Sequence, residues 1–237
     1  MYHDDQPHRY RRHLARRLLT TEDGATFTNY VAITVQDSGT FNCYGTIADY
    51  GTIDIQSGGN FYDLDNGSTI NFYDLDNGST IIESGGSLTD QSGGSITLYD
   101  SSTLTIESNG SVTDSGTITD WGTLTVGHGG TLTENGFLDV NNTLIDSGTV
   151  TVNSGGTIYV EPGATLEVDS TGILNSNTGS NLTVYAGGSV PIETGGVLSV
   201  GTGEVVSVYS GGSYGTGGTI GQVVISQATD PAWHNTS

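Results

Sequence analysis

The sequence contains no lysine, and its five arginines all lie within the first 17 of 237 residues. Twenty-six residues are acidic, and only two of them precede the last arginine, Arg17, so the formal net charge is −21. Binding to phosphate groups depends on Lys and Arg side chains that displace counterions. We therefore expect the chain after Arg17 not to bind nucleic acid, and anionic membrane surfaces are disfavoured for the same reason.

Cysteine and long apolar runs are also scarce. The single cysteine, Cys43, excludes an intrachain disulfide, and its place beside Phe41 in the apolar pattern predicts a buried thiol. No apolar run approaches the roughly 18 residues of a membrane-spanning helix, so we predict no membrane span. After the Tyr10-Arg11-Arg12-His13-Leu14 segment only Leu18 and Leu19 follow, which is too short an apolar stretch for a signal peptide, and none is recognisable.

Glycine, with 37 residues, is abundant and marks a short repeat. From Asp37 onward, a small turn is followed by Ser or Thr, an apolar residue, a polar residue and often a second apolar residue. Residues 94–98 (Gly-Ser-Ile-Thr-Leu) and 156–160 (Gly-Thr-Ile-Tyr-Val) are examples. This alternation has the period of two that is typical of a strand with one buried face.

The repeats follow one another at intervals of six or eight residues, and the predicted strands begin at residues 87, 95, 103, 111, 117, 123, 131, 137, 143, 149, 157, 165, 173, 181, 189, 197, 205, 213 and 219. A fixed short period over so long a stretch indicates a solenoid. Three repeats make 18–24 residues, which suits one coil of a three-sided parallel β-helix whose coils stack about 4.8 Å apart. We therefore predict an all-β, single-stranded parallel β-helix (a β-solenoid), right-handed as parallel crossovers usually are. Roughly eight coils would lie between about Asp37 and Ile225.

The N-terminal residues follow another pattern. Tyr10, Leu14 and Leu18 recur every four residues among the arginines, which predicts a short amphipathic helix over residues 8–19. Such a helix would cap the first coil; a surface-binding presequence and a clasp onto the acidic body of the same or a neighbouring molecule are alternatives. The predicted organisation is a basic segment at 1–24, a solenoid domain at 25–225 and an irregular tail at 226–237.

Several six-residue repeats carry Asp where longer repeats have their second apolar residue, and Gly follows two residues later. An Asp side chain accepts a hydrogen bond from the backbone two residues on, and Gly tolerates a positive φ, so Asp-x-Gly predicts a compact corner. The predicted corner residues are Asp37, Asp49, Asp114, Asp120 and Asp146.

One set of acids is spaced by a whole coil. Asp90, Asp114 and Glu134 each lie four residues after a repeat start, and we expect them to stack as a column of like charges. Screening, protonation or a hard cation such as Ca²⁺ would relieve the repulsion. Weak Ca²⁺ binding is the one cofactor hypothesis, with non-specific counterions as the simpler alternative. The candidate ligands are Asp90, Asp114, Glu134, Asp63, Asp65, Asp74 and Asp76.

Aromatic residues are the strongest indication of a binding surface. Tyr185 and Tyr209 are 24 residues apart and should stack outside the rod, while Tyr50 and Trp121 lie within Asp-x-Gly corners. Exposed aromatic rings dock sugar rings or a partner protein. The alternative is that they are ordinary cross-coil pairs that stabilise the stack.

Two other functions are compatible with a solenoid. The hypothesis of a polysaccharide-acting enzyme is weakened because residues 18–237 contain no Lys or Arg, which lyases of this fold use. Gly127-His128-Gly129 resembles hydrolases of this fold, but over three residues only. An ice-binding or other ligand-binding solenoid is suggested by outward Thr-x-Thr pairs such as Thr103/Thr105 and Thr149/Thr151. These pairs fall on all three predicted sides, whereas an ice-binding face needs one uninterrupted side.

Phrases such as Asn153-Ser-Gly-Gly-Thr-Ile-Tyr-Val160 resemble the strand-loop-strand repeats of bacterial autotransporter passenger domains and diffuse-adherence adhesins. The resemblance covers most of residues 37–220, without a recognisable translocator barrel. It implies a non-enzymatic structural or adhesive solenoid, extracellular or on a cell or particle surface. The expected partners are further copies of the chain, in filaments or bundles, and cell-surface glycans or proteins.

Overall fold

The computed structural model describes residues 18–20, 25–30, 32–35, 39–44, 46–49, 52–56, 59–63, 69–72, 79–202, 205–209, 211–214, 217–220 and 224–226. These residues form short strands joined by tight turns. The first strands are β1 (Leu18–Thr20), β2 (Thr26–Asn29), β3 (Ala32–Val35), β4 (Thr40–Cys43), β5 (Thr46–Asp49), β6 (Thr52–Ile55), β7 (Asn60–Asp63), β8 (Thr69–Phe72), β9 (Ser79–Ile82) and β10 (Ser87–Asp90).

The remaining strands continue the same pattern. They are β11 (Ser95–Leu98), β12 (Thr103–Ile106), β13 (Ser111–Asp114), β14 (Thr117–Asp120), β15 (Thr123–Val126), β16 (Thr131–Glu134), β17 (Phe137–Val140), β18 (Thr143–Asp146), β19 (Thr149–Val152), β20 (Thr157–Val160), β21 (Thr165–Val168), β22 (Ile173–Ser176), β23 (Asn181–Val184), β24 (Ser189–Val190), β25 (Val197–Val200), β26 (Val205–Val208), β27 (Ser213–Tyr214), β28 (Thr219–Ile220) and β29 (Val224–Ser226).

Every third strand belongs to the same sheet, and all strand pairs are parallel. The first sheet runs β1-β4-β7 to β28, the second β2-β5-β8 to β29 and the third β3-β6-β9 to β27, with ten, ten and nine strands. This arrangement confirms the predicted three-sided parallel β-solenoid. The predicted repeat phase is also confirmed, because every strand from β10 to β28 begins at the expected residue.

Coil length varies more than the sequence predicts. Asn135 and Asn153, at equivalent places on neighbouring coils, are 18 residues apart, and Thr165 and Ser189 are 24 apart. Asn60 and Ser87, however, are 27 apart, which exceeds the predicted range. The solenoid also begins before Asp37, since β1, β2 and β3 precede that residue and pair with β4, β5 and β6.

The longer coils contain an identical 11-residue duplication at 60–70 and 71–81. The two copies do not form equivalent strands. In the first copy the last strand begins at Thr69 and places Ile70 at its second position, whereas in the second copy it begins at Ser79 and places Thr80 there. The same local sequence therefore takes two registers, set by the neighbouring coils with which it pairs.

The core is a narrow apolar column inside the three sheets. In most strands the second and fourth residues are buried and the first and third are partly exposed, as in β12 and β19. The second positions of successive coils stack Leu, Ile and Val on one another, for example Leu104, Leu124 and Leu144. Cys43 is buried at an inward position, as predicted.

The predicted N-terminal helix is wrong at its C-terminal end. Leu18–Thr20 forms strand β1 and pairs in parallel with β4, because its backbone continues the ladder of the first sheet. Residues 8–17 lie outside the described part of the chain. The described residues include no helix at all, and so none long and apolar enough to cross a membrane.

Candidate functional site: an aromatic edge with a polar centre

The Asp-x-Gly corners show the predicted Asp hydrogen bond, but Gly116, Gly122 and Gly148 do not have the expected positive φ. Glycine is needed there because an added Cβ would lie 2.3–2.4 Å from a backbone oxygen of the preceding coil. Asp114, Asp120 and Asp146 each accept a hydrogen bond through Oδ1 from the backbone N–H two residues on, at 3.1, 3.0 and 3.1 Å. Glu134 does the same for Gly136 at 2.7 Å. Asp49 is buried and accepts a 2.6 Å hydrogen bond from Nδ2 of Asn29 on the preceding coil. Asp37 lies outside the described residues.

These acids point into the solenoid rather than out of it. Each is the fourth residue of its strand, an inward position, and Asp90, Asp114, Asp120, Glu134 and Asp146 have no exposed surface. The excess of acidic residues over Lys and Arg suggests an acidic exterior, and for this set that suggestion is wrong. The physical reason is the period of two, which turns the fourth residue inward whether it is Val or Asp.

The predicted column of acids is formed inside the first sheet. Asp90 pairs with Asp114, and Asp114 pairs with Glu134, one coil each time. Burial, and for Glu134 also the charge of Asp114, raises the pKa of both Asp114 and Glu134. Burial alone raises the pKa of Asp120 to about 7, and burial with the charge of Asp169 raises that of Asp146 to about 7. The interior therefore favours protonated carboxyl groups.

The Ca²⁺ hypothesis gains no ligand cluster from this arrangement. Among the described residues, no three His, Cys, Asp or Glu side chains are placed to hold a metal ion together. Asp63 continues the column through its backbone pairing with Asp90, but its side chain is outside the described part. Asp65, Asp74 and Asp76 also lie outside the described residues. Protonation relieves the repulsion in the column without a cation.

The predicted aromatic residues belong to one edge of the solenoid, immediately after the strands of the second sheet. We call this row the aromatic edge. Within it, successive backbone N–H groups bond to the preceding coil, as Tyr185 does to Val160 and Tyr209 to Val184. Its described members, in coil order, are Tyr30, Tyr99, Trp121, Asn141, Glu161, Tyr185 and Tyr209. Tyr50 and Tyr73 follow β5 and β8 in the sequence and lie outside the described residues.

The rings of the aromatic edge are partly exposed, and Tyr185 and Tyr209 contact each other. Trp121 is 47% exposed and Tyr99 38%. Tyr185 and Tyr209 are stacked, with ring centroids 5.3 Å apart and planes within 4°. Tyr159, an outward residue of β20, meets Tyr185 edge-to-face at 5.4 Å and Phe137 at 4.9 Å. Four aromatic rings thus form a continuous ladder over neighbouring coils.

Two polar residues, Asn141 and Glu161, interrupt the aromatic edge between Trp121 and Tyr185, and Asp139 lies near them at an outward position of β17. We call Asp139, Asn141 and Glu161 the polar centre. Asn141 donates to the backbone oxygen of Asp139 at 3.3 Å. Burial and the charge of the nearby Asp139 raise the pKa of Glu161 to about 7, and burial raises the pKa of Asp139.

The hydrolase alternative depends on His128, which resembles hydrolases of this fold only within Gly127-His128-Gly129. The His128 side chain is exposed in the turn after β15.

The threonine pairs are distributed over all three sheets, as predicted. Thr149 and Thr151 lie in the first sheet, Thr117 and Thr119 in the second, and Thr103 and Thr105 in the third. The outward positions of the second sheet also hold Asp139 and Tyr159 in the same row as Thr119. No described side of the solenoid is therefore a continuous Thr array, as an ice-binding surface would be.

Sequence reasoning identified Trp121, Tyr185 and Tyr209 but not the row that contains them. It missed the polar centre, together with Tyr99, Phe137 and Tyr159. The signal that could have revealed the row is the residue type directly after every third predicted strand. Tyr or Trp occupies seven of the nine places that follow β2, β5, β8, β11, β14, β17, β20, β23 and β26.

Comparison with known proteins gives a single kind of likeness. No protein-family model and no curated protein matches the chain. Among solved structures, the TibC-catalyzed hyper-glycosylated TibA55-350 fragment is similar, with 19% sequence identity over 86% of this chain and 94% of that chain, at a TM-score of 0.21.

Proposed function

We propose that this chain is a non-enzymatic adhesive solenoid that acts outside the cell or on a particle surface. The observation that carries the proposal is the aromatic edge, in which Tyr or Trp recurs at one corner of successive coils. Regular exposed aromatic residues on a rigid support are typical of a recognition surface, because they bury large contact areas at small entropic cost. The solenoid holds them in a straight row.

A retention assay tests this function. The purified chain, passed over surfaces coated with glycans or with cell-surface proteins, should be retained and should release no product from them. Replacing Trp121 by Ser should reduce retention, whereas replacing Tyr44 by Ser should not. Tyr44 is a matched control because it is also exposed, at 36%, but follows a strand of the first sheet. Cleavage of a coated glycan, or equal retention of both variants, would contradict the proposal.

We also propose that the chain associates end to end. Each coil repeats the backbone geometry of the one before it, so a second copy of the chain could continue the three sheets with its own strands. Unpaired strand edges favour pairing with another chain. Electron microscopy should show rods that are multiples of a unit about 45 Å long, the height of ten stacked strands. A single population of short rods at all concentrations would contradict this association.

A further inference from the structure

The polar centre and the aromatic residues on either side of it have complementary chemistry. Asp139, Asn141 and Glu161 present carboxyl and amide groups that both donate and accept hydrogen bonds. Trp121 lies before them on the aromatic edge and Tyr185 after them, one coil away from the nearest polar residue in each case. Planar polar groups between aromatic rings are the combination that fits a sugar, which has hydroxyl edges and an apolar C–H face.

Charge decides the class of sugar. The chain has no Lys or Arg after Arg17, so no described residue can neutralise a carboxylate or sulfate group on a ligand. The Asp139 and Glu161 carboxyl groups lie within the polar centre and would repel an anionic sugar further. Carboxyl and amide oxygens accept hydrogen bonds and the Asn141 amide N–H₂ group donates them, which suits the hydroxyl groups of a neutral sugar.

The length of the aromatic edge decides the shape of the ligand. Its members from Tyr99 to Tyr209 occupy six successive coils, which span about 24 Å along the axis at about 4.8 Å per coil. A single monosaccharide could contact only one or two of them. An extended oligosaccharide lying parallel to the axis could contact the polar centre and the rings on both sides at once.

Resting on the adhesive function above, we propose that the polar centre with Trp121 and Tyr185 forms the central subsite for a linear, uncharged polysaccharide that lies along the aromatic edge. Glu161 and Asn141 hydrogen-bond to sugar hydroxyl groups at this subsite. Trp121 provides the exposed ring surface for the C–H face of a neighbouring sugar. Tyr159 and Tyr209 hold Tyr185 in place through the ring contacts already described.

The test uses the full chain and the fluorescence of Trp121. The chain has two tryptophans, so the substitution Trp233→Phe leaves Trp121 as the only reporter. This protein is titrated with neutral gluco-, manno- and galacto-oligosaccharides of two to eight units, with oligo-uronates of matched length and with oligolysine. At least one neutral series should change the fluorescence, with affinity rising at least tenfold from two to six units. Oligo-uronates should bind at least tenfold more weakly.

Variants locate the site. Tyr185→Ser and Glu161→Gln should each weaken binding of the neutral ligand at least fivefold, and Tyr44→Ser should change it less than twofold. Thermal melting of each variant, made without ligand, separates lost binding from lost folding. The Trp121→Ser variant lacks the fluorescent reporter, so its sugar binding is measured by calorimetric titration. Circular dichroism shows whether this variant is folded.

The outcomes distinguish this inference from the adhesive function. If no neutral oligosaccharide binds but retention on a coated surface depends on Trp121, the ligand class is wrong and the adhesive function stands. Preferential binding of oligolysine, or of a surface protein that no neutral sugar displaces, overturns the inference in the same way. If the chain is retained on no surface and binds no sugar, both are overturned.

Discussion

Asp114 and Glu134 occupy equivalent inward positions on neighbouring coils, and both carboxyl groups are buried inside the solenoid. Each keeps one oxygen on a backbone N–H of its own corner, at Gly116 and Gly136. The second oxygen of each, Oδ2 of Asp114 and Oε2 of Glu134, has no hydrogen-bond partner. Two ionised carboxylates would repel each other there, so the folded chain retains a proton that the unfolded chain releases.

We predict that Glu134→Gln stabilises the chain above neutral pH. Gln keeps an oxygen for the Gly136 N–H, removes the charge and offers an N–H₂ group toward Asp114. The free energy of unfolding should rise by about 1–3 kcal/mol at pH 8 and change little at pH 4.5. Urea denaturation at the two pH values measures this. Glu107→Gln, at an exposed position, is the matched control and should change neither value. Equal effects of the two substitutions on the free energy of unfolding at pH 8 would contradict a raised pKa of Glu134 in the folded chain.

We predict that the stability of the whole chain falls as the pH rises from about 4 to above 7. The pKa values of buried Asp120 and Asp146 are raised to about 7, so the folded state binds more protons than the unfolded state in this window. Stability is therefore complete below the unfolded pKa and is lost as the pH passes the folded pKa. Each pKa unit corresponds to about 1.4 kcal/mol.

The substitution Asp120→Asn isolates one of these groups. It retains an acceptor for the Gly122 N–H and should flatten the pH profile. Asp120→Ala, which loses the acceptor, should instead destabilise the chain at low pH by about 1–2 kcal/mol. Denaturant midpoints between pH 4 and 8 provide the measurement. An increase in the stability of the unsubstituted chain between pH 4 and 8 would contradict the prediction.

Thr80 is predicted to be a weak point in the core. It lies between Ile53 and Leu104 in the inward row of the third sheet, is 1% exposed, and its hydroxyl oxygen has no hydrogen-bond partner. Thr80→Val has nearly the same shape and removes the unsatisfied hydroxyl, so it should stabilise the chain by about 1 kcal/mol. Thr103→Val, at an outward position, is the control. A loss of stability with Thr80→Val would show that the hydroxyl is satisfied.

The edge that follows the first sheet contains an asparagine ladder. Asn153 donates to Oδ1 of Asn135 at 2.8 Å and accepts from Nδ2 of Asn177 at 3.0 Å. Asn153→Ala breaks both bonds and should lower the melting temperature, at a cost of about 1–2 kcal/mol. Asn177→Ala breaks only the bond to Asn153 and should cost about half as much. Equal losses would mean that the ladder is not the source of the effect.

Much of the fold could be predicted because the period of two and the six- or eight-residue spacing are local properties of the chain. Leu104, Leu124 and Leu144 are each inward for the same reason, and the counted phase places all three correctly. The duplicated segment shows the limit of this reasoning. Ile70 is the second residue of its strand and Thr80 is the second residue of the next one, although Thr80 corresponds to Thr69 in the duplicated sequence. Pairing with the neighbouring coils therefore sets the register.

The candidate site was less predictable because it depends on residues from separate coils. Trp121 and Tyr185 were identifiable as single aromatic residues, but Asp139 and Glu161, whose charges act on each other, lie on neighbouring coils and are connected by no motif. The inward direction of Asp114 was implied by its strand position. Composition suggested the opposite, since acidic residues are seldom fully buried. Protonation is what makes their burial tolerable.

The central claim is that residues one coil apart are axial neighbours in the observed register, and disulfide trapping tests it most directly. In a Cys43→Ala background, Thr125→Cys with Ile145→Cys places two cysteines at paired outward positions of β15 and β18. Their Cα atoms should lie about 5 Å apart, within the range for a disulfide. Thr125→Cys with Thr143→Cys is offset by two residues on the same face. Rapid, complete oxidation of the first pair only is the expected result. Oxidation of the offset pair, or of neither pair, would contradict the account.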